Sequence, residues 1–280
     1  MLSVIFGLAS ALSWGAGDFT GGLAARRVGA YRSVFYGEVI GIMFLFVAVS
    51  ITGEPILNSR SAMFAVVAGA LGTVGLLLLY HAMSSGMMSI AAPVSALLAA
   101  TLPVMVGMFT QGLPGYLTMI GFGFALFAVW MISQGEGSVT DILSHLSDLK
   151  LPLLAGIGFG FYFVLMHEAT KAGGTFWPMV FSRSGGIALL TAYLLITRSS
   201  LKIDTSALPI ITVNGLLDLG GNFFFILASQ AGRLDVASVL SSLFPGATVV
   251  LAWIFLKERL NRNQWIGIAA ALTAIVLLTM

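Results

Sequence analysis

Residues 214–222 read Asn-Gly-Leu-Leu-Asp-Leu-Gly-Gly-Asn and lie inside an apolar run, 208–228, that is long enough to cross a bilayer. On an α-helix, Asn214, Asp218 and Asn222 follow one another at intervals of four residues, so their side chains line one face. A carboxylate in mid-membrane costs about 2.5–3.5 kcal/mol on insertion scales, and such a residue normally faces a polar cavity or a partner inside the bundle. We therefore expect the rest of the chain to form the wall of a cavity at Asp218.

The composition is that of an integral membrane protein. Of the 280 residues, 58% are hydrophobic and only 9% are charged, whereas charged residues make up about 25% of a soluble domain. The long apolar runs lack the period-two alternation of membrane strands, so the sequence predicts an all-α protein. At about 20 residues for each crossing, the chain has room for about ten transmembrane helices and for no soluble domain.

The sequence predicts ten membrane helices separated by short connections. They occupy residues 3–20, 33–51, 62–82, 88–110, 115–133, 151–170, 175–196, 208–230, 235–256 and 262–279. The longest polar connection, 134–150, lies near the midpoint and separates the segment 1–133 from the segment 151–280.

Several classes of partner are not expected. The net charge is +2 and the basic residues form no clustered stripe, so we expect no nucleic acid. The chain has no cysteine and no His-Glu-x-x-His pattern, so neither a metal site nor a cofactor is expected. The first residues lack a charged segment, so the first apolar run is expected to be a retained helix and not a cleaved signal peptide.

The two halves of the chain align with each other. Trp14 aligns with Phe159 and Glu38 with Arg183, in both cases 145 residues apart. Five helices in each half is an odd number, so the second half must enter the membrane in the opposite direction. We therefore predict two inverted five-helix repeats with a substrate site near the bilayer midplane between them.

A set of motifs is spread over both halves of the chain: Trp14-Gly15, Pro93, Pro103, Pro245, the run Leu256-Lys257-Glu258-Arg259-Leu260, and Gly267. Together these motifs resemble the EamA family of the drug/metabolite transporter superfamily. The resemblance implies a central cavity that opens to one side at a time and movement of small metabolites, amino acids or drugs. It also implies a place in the cytoplasmic membrane of a prokaryote, and we expect export to be the direction of transport.

Substrate-binding residues are expected around the cavity at Asp218: Asn214, Asp218, Asn222, Trp14, Phe159 and Ser241. The aligned residues Trp14 and Phe159 lie beside glycines and can offer an aromatic surface to a substrate. Ser241 lies one turn before Pro245, which has no backbone N–H and therefore frees a carbonyl. The alternative for the face at 214, 218 and 222 is a cluster of interhelical hydrogen bonds without a substrate.

Charged residues in other helices are candidates for coupling and gating. Because Glu38 and Arg183 are matching residues, inverted repeats bring them towards each other, either as a gate or as a static pair. Asp18 is a carboxylate at the cavity mouth or a cap at a helix end. If transport is coupled to protons, Asp218 is the best candidate to exchange the proton.

Two other functions are compatible with parts of the sequence. Residues 15–18, Gly-Ala-Gly-Asp, match the GxGD pattern of intramembrane aspartyl proteases, so an enzyme using Asp18 and Asp218 is one alternative. A membrane scaffold without transport is the other. We expect no enzymatic activity, because the chain has no further likeness to such proteases. Because of the internal duplication, a monomer can form a complete site by itself. A dimer is also compatible with the sequence.

Overall fold

The computed structural model describes residues 1–133, 150–171, 173–198, 200–256 and 261–279. Within these ranges all regular structure is helical. The α-helices are α1 Leu2–Val28, α2 Ala30–Thr52, α3 Ser59–Ala82, α4 Met88–Gln111, α5 Tyr116–Ser133, α6 Lys150–Thr170, α7 Phe176–Thr197, α8 Leu208–Ala231, α9 Leu234–Ser241, α10 Phe244–Leu256 and α11 Arg262–Thr279. A π turn, Met83–Met87, joins α3 to α4, and a short 3-10 turn, Thr205–Ala207, precedes α8. The predicted connector 134–150 lies outside the described residues except for Lys150.

Eight described helical segments are long and apolar enough to cross a membrane by length and composition. They comprise α1, α2, α3, most of α4, α6, α7, α8, and α9 together with α10. Two further apolar helices, Tyr116–Ile132 and Arg262–Leu278, are shorter. The prediction of an all-helical, multi-pass membrane protein is thus confirmed, whereas the division into ten spans in two inverted repeats stays a prediction.

The first helix is longer than the sequence predicts. The apolar run predicts that the first helix ends at residue 20, but α1 continues through Gly21 and Gly22 to Val28. These glycines serve close packing, since a Cβ added at Gly21 would overlap the side chain of Tyr80 on α3. Asp18 therefore lies inside α1 and does not cap a helix end.

The predicted helix 235–256 is broken into α9 and α10. Ser242 and Leu243 lie between the two helices, and the turn is held by bonds from the Leu243 amide to the Leu240 carbonyl (3.2 Å) and from the Gly246 amide to the Leu243 carbonyl (2.9 Å). Pro245 explains the break, because its ring cannot donate the next helical hydrogen bond. The break directs Phe244 towards the centre of the bundle.

The most extensive helix contacts join the first half of the chain to the second. The leading pairs are α1 with α8, α3 with α6, α5 with α11, α4 with α6, and α3 with α7. The two halves are therefore interleaved, and residues from both of them surround the centre of the bundle.

Glycines let α3 and α7 touch along their backbones. A Cβ added at Gly69 on α3 would overlap the Ser182 carbonyl, and one added at Gly185 on α7 would overlap the Val66 carbonyl. Small residues at such crossings allow close approach of membrane helices. This crossing holds Arg183 of α7 beside the centre of the bundle.

We expect Gly69→Ala to lower the unfolding temperature of the purified protein, because the new methyl group must push α3 away from α7. Overpacking of this kind costs about 1–3 kcal/mol. Gly123→Ala is the matched control, since a Cβ at Gly123 has no neighbour within 4 Å. Equal unfolding temperatures for the two variants would contradict the tight α3–α7 crossing.

Candidate functional site

A cavity lies between the two halves, at the level of Asp218, which is close to the middle of the 24-residue α8. Its wall includes four charged residues, Asp18, Glu38, Arg183 and Asp218, and five aromatic ones, Trp14, Phe159, Tyr162, Phe163 and Phe244. The space open to a water-sized sphere is about 70 Å³, whereas one water needs about 10–15 Å³. Several waters or a small chemical group fit in this state, and a larger solute requires the helices to move apart.

Arg183 lies between two carboxylates at the centre of this cavity. Its Nη1 is 3.0 Å from Glu38 Oε2 of α2, an ion pair without well-directed hydrogen-bond geometry. Its Nη2 donates to Asp218 Oδ2 of α8. The three side chains are 7%, 8% and 17% exposed. Since two charges of one sign share a single counter-charge, this ion triad carries a net charge of −1 when all three groups are ionised.

Small residues and a hydroxyl group fix Glu38 and Arg183. The Thr73 hydroxyl donates to Glu38 Oε1 at 3.1 Å. A Cβ added at Gly186 on α7 would overlap Thr73 and lie 3.5 Å from the Glu38 carboxyl carbon, and a Cβ added at Gly41 on α2 would lie 3.3 Å from the Arg183 guanidinium. The glycines thus leave room for the charged groups to meet.

The predicted polar face of α8 divides between two environments. Asn222 donates to Asp218 Oδ2 at 3.1 Å and to the Asp218 carbonyl at 2.6 Å, and it accepts a bond from the Tyr162 hydroxyl. Asn214 instead donates to the Gly17 carbonyl (2.8 Å) and to the Tyr80 hydroxyl (2.9 Å), and it does not line the cavity. Asn214 therefore joins α8 to α1 and α3, whereas Asp218 and Asn222 face the cavity.

Asp18 lines the same cavity from α1. Its side chain belongs to a residue that is only 6% exposed, and no described residue hydrogen-bonds or ion-pairs with its carboxylate. The helix brings it close to Asp218, because a Cβ added at the neighbouring Gly17 would lie 3.4 Å from the Asp218 amide nitrogen. The cavity thus contains a third carboxylate, which lies outside the ion triad.

The aromatic side of the cavity extends beyond the predicted residues. Trp14 stacks on Phe163, with ring centres 5.5 Å apart, and a Cβ at Gly221 would overlap the Trp14 indole. Phe159 also lines the cavity, as do Tyr162 and Phe163, which the sequence analysis did not select. Their spacing could have identified them, because residues three and four positions after Phe159 share its helix face.

Ser241, like Asn214, is a predicted site residue that does not line the cavity. It is fully buried, its hydroxyl has no hydrogen-bond partner among the described residues, and it is not part of the cavity wall. Phe244, three residues later, lines the cavity instead. Within the described part of the chain, no three His, Cys, Asp or Glu side chains cluster as ligands for a metal ion.

Comparisons with known proteins give the context for this arrangement. One solved crystal structure superimposes on 98% of this chain and 95% of its own, with a TM-score of 0.77 and 15% sequence identity, which shows a shared fold.

Two curated proteins are similar over shorter stretches. An uncharacterized solute carrier family 35 member of Schizosaccharomyces pombe is 40% identical over 63 residues, which are 22% of this chain and 12% of that protein. The match therefore spans about an eighth of the yeast protein. An uncharacterized protein of Methanocaldococcus jannaschii is 32% identical over 95 residues, which are 34% of this chain and 69% of that protein.

Family models extend the likeness to nearly the whole chain. The model of the EamA-like transporter family matches residues 1–134 and 148–280. The two matched segments together leave out only part of the central connector, and the chain therefore belongs to the EamA-like transporter family.

Proposed function

We propose that this protein is a secondary transporter that exports a small molecule across the cytoplasmic membrane of a prokaryote by alternating access. The observation that carries the proposal is the charged and aromatic cavity at mid-depth between the two halves. Ionisable residues within membrane helices are expensive and typically mark a substrate or ion pathway. Transporters built from inverted repeats hold their substrate at this level, between the repeats.

The packing supports two inverted repeats, 1–133 and 151–280, with a pseudo-two-fold axis between them. Helix pairs occur in exchanged sets: α1 packs on α8 as α6 packs on α3, and α2 packs on α8 as α7 packs on α3. The same exchange occurs between residues, since Gly41 of α2 lies against Arg183 while its match Gly186 of α7 lies against Glu38. A two-fold relation between the halves produces such reciprocal contacts.

One end of α2 is tied to α7 by a carboxylate, in contacts that we name the Glu54 latch. Glu54, which follows α2, accepts hydrogen bonds from the amides of Thr175, Phe176 and Trp177 at 2.9–3.1 Å. The Trp177 indole donates to the Glu54 carbonyl at 2.8 Å. A negative charge at the N-terminus of α7 interacts favourably with the helix dipole.

The opposite end of α2 is tied to the segment after α7, in contacts that we name the Arg32 latch. Arg32 Nε donates to the Ser200 carbonyl and the Tyr36 hydroxyl to the Leu201 carbonyl, both at 2.9 Å. The two latches lie at opposite ends of a 23-residue helix, which is long enough to span the bilayer core. In the proposed mechanism, release of one latch at a time opens the cavity to one side of the membrane.

We also propose proton coupling through the ion triad. The titratable groups that line the cavity with Asp218 are Glu38, Asp18, Tyr162 and Arg183, and Arg183 is the only cation among the described cavity residues. Protonation of Asp218 would remove its charge and weaken its bond to Arg183, and this would free α8 from α7. If proton and substrate alternate at the site, an inward proton gradient drives export.

The alternative functions find less support in the contacts. An aspartyl enzyme needs two carboxylates that share a proton, whereas Asp218 is bonded to Arg183 and Asn222. A scaffold function does not explain why Asp18 is buried without a partner among the described residues, because packing alone does not offset the cost of burying a carboxylate.

The first test is transport by purified protein in liposomes. We expect selective accumulation of one class of solute from a mixed pool of amino acids, sugars and organic cations, read by mass spectrometry. Asp218→Asn should abolish the dependence of transport on a pH gradient, because the amide cannot exchange a proton. Glu168→Gln, which alters a half-buried carboxylate paired with Lys171 at a helix end, is the control and should transport normally. Gradient-driven accumulation by Asp218→Asn would refute its coupling role.

A second test concerns the charge balance of the triad. Arg183→Gln should destabilise the protein by about 3–5 kcal/mol, because it leaves two buried carboxylates without a counter-charge. Adding Glu38→Gln and Asp218→Asn to this variant should restore much of the lost stability, as measured by thermal unfolding in detergent. If the triple variant unfolds at no higher temperature than Arg183→Gln alone, charge compensation does not stabilise the ion triad.

A third test concerns the latches, and it uses the absence of native cysteine. With Ser182→Cys as a reporter in the cavity wall, Glu54→Ala should speed labelling by a membrane-impermeant maleimide added to one face of sealed vesicles. Arg32→Ala with Tyr36→Phe should speed it from the other face. Glu168→Ala is the control. Faster labelling from the same face in both latch variants would contradict gating at opposite ends.

A further inference from the structure

We propose that the cavity selects a small organic cation, which the carboxylate of Asp18 binds beside the Trp14 indole. This inference deepens the proposed transport function and rests on it. It assigns the substrate class from the charges that are already paired in the cavity and from Asp18, which is the one carboxylate of the described cavity wall without a partner among the described residues.

The charges of the cavity wall are unbalanced. The described wall contains three carboxylates, Asp18, Glu38 and Asp218, and a single guanidinium, Arg183. Arg183 already contacts both Glu38 and Asp218. A substrate carboxylate or phosphate would therefore meet no available cationic side chain among the described wall residues, and the wall would repel it when all three carboxylates are ionised. A positively charged substrate is attracted by the same excess of negative charge.

Asp18 is the carboxylate with unused binding capacity. Asp218 accepts hydrogen bonds from Arg183 and Asn222, and Glu38 is bonded to Thr73 and paired with Arg183. Asp18 has no such partner among the described residues, although it is 94% buried and borders the cavity. Burial of an unpaired carboxylate is costly, and a bound cation would supply the missing counter-charge.

The surroundings of Asp18 favour an organic cation over a metal ion. Trp14 lies four residues before Asp18, so the two side chains lie one turn apart on α1, and both line the cavity. Phe163 stacks on Trp14 and also lines the cavity. An ammonium group next to an aromatic face gains cation–π energy where water is excluded, whereas a hard metal cation requires a shell of several oxygen ligands.

The size of the cavity limits the state in which the cation binds. At about 70 Å³, the space accepts an ammonium group but not a complete aromatic or branched amine. The bound state of a larger cation therefore requires the walls of the cavity to move apart, which links the recognition of the cation to the opening of the cavity.

The test compares three solutes that share one benzene ring: phenyltrimethylammonium, phenylalanine and benzenesulfonate. These are a cation, a zwitterion and an anion, and their accumulation in proteoliposomes is read by mass spectrometry. Wild-type protein should prefer the cation. Asp18→Asn should reduce its accumulation by about tenfold or more, the scale of a desolvated carboxylate–cation contact. Asp18→Glu should retain part of the accumulation.

Asp204→Asn is the matched control. It removes an exposed carboxylate that caps the 3-10 turn outside the cavity, and asparagine caps equally well. Thermal unfolding is measured to show that each variant is folded. Asp18→Asn is expected to fold, because Asp18 makes no hydrogen bond with the described residues that the substitution would remove.

The outcomes distinguish a failure of the cation site at Asp18 from a failure of the proposed transport function. Cation accumulation that folded Asp18→Asn protein retains would overturn the cation site, and so would a wild-type preference for phenylalanine or benzenesulfonate. In both cases transport itself would stand. If folded wild-type protein accumulated none of these solutes and none of the mixed pool, the proposed function would fall together with the cation site.

Discussion

The centre of this protein depends on one guanidinium that pairs with two carboxylates away from water. Arg183, Glu38 and Asp218 come from three helices, α7, α2 and α8, and each would be costly to bury alone. Their contacts require the helix backbones to approach closely, and glycines at 41, 69, 185 and 186 allow this approach. The charge cluster and the small-residue packing are therefore parts of one constraint, since the ion pairs form only where the glycines let the helices meet.

The cavity combines two kinds of polar group with different roles. The ion triad and its partners Thr73 and Asn222 form a bonded network that joins three helices. Asp18 stands outside this network on α1. A transporter needs both an arrangement that holds its helices in one state and a group that is free to bind its solute. In the proposed mechanism, the bonded carboxylates of the ion triad meet the first requirement, and Asp18, which has no bonded partner among the described residues, meets the second.

The sequence predicts the helical membrane class and most helix positions, because apolar runs of membrane length are strong local signals. It also predicts, on the premise of inverted repeats, that the matching residues Glu38 and Arg183 approach each other, and the structure has them in contact. Other features depend on contacts at points where two helices cross, and the sequence of one helix alone does not predict such contacts. Asn214 shares a helical face with Asp218, but the approach of α1 at Gly17 draws it into a separate set of bonds.

The contact between Glu38 and Arg183 also explains why the two halves need each other. If the halves are related by the proposed two-fold axis, two copies of the first half would place one Glu38 beside another, and two copies of the second half would bring two Arg183 guanidinium groups together. Like charges at such a buried contact repel strongly, so the opposite charges of Glu38 and Arg183 favour pairing of the two unlike halves. Within the proposed two-fold arrangement, this one pair of positions therefore favours association of the two unlike halves over association of two like ones.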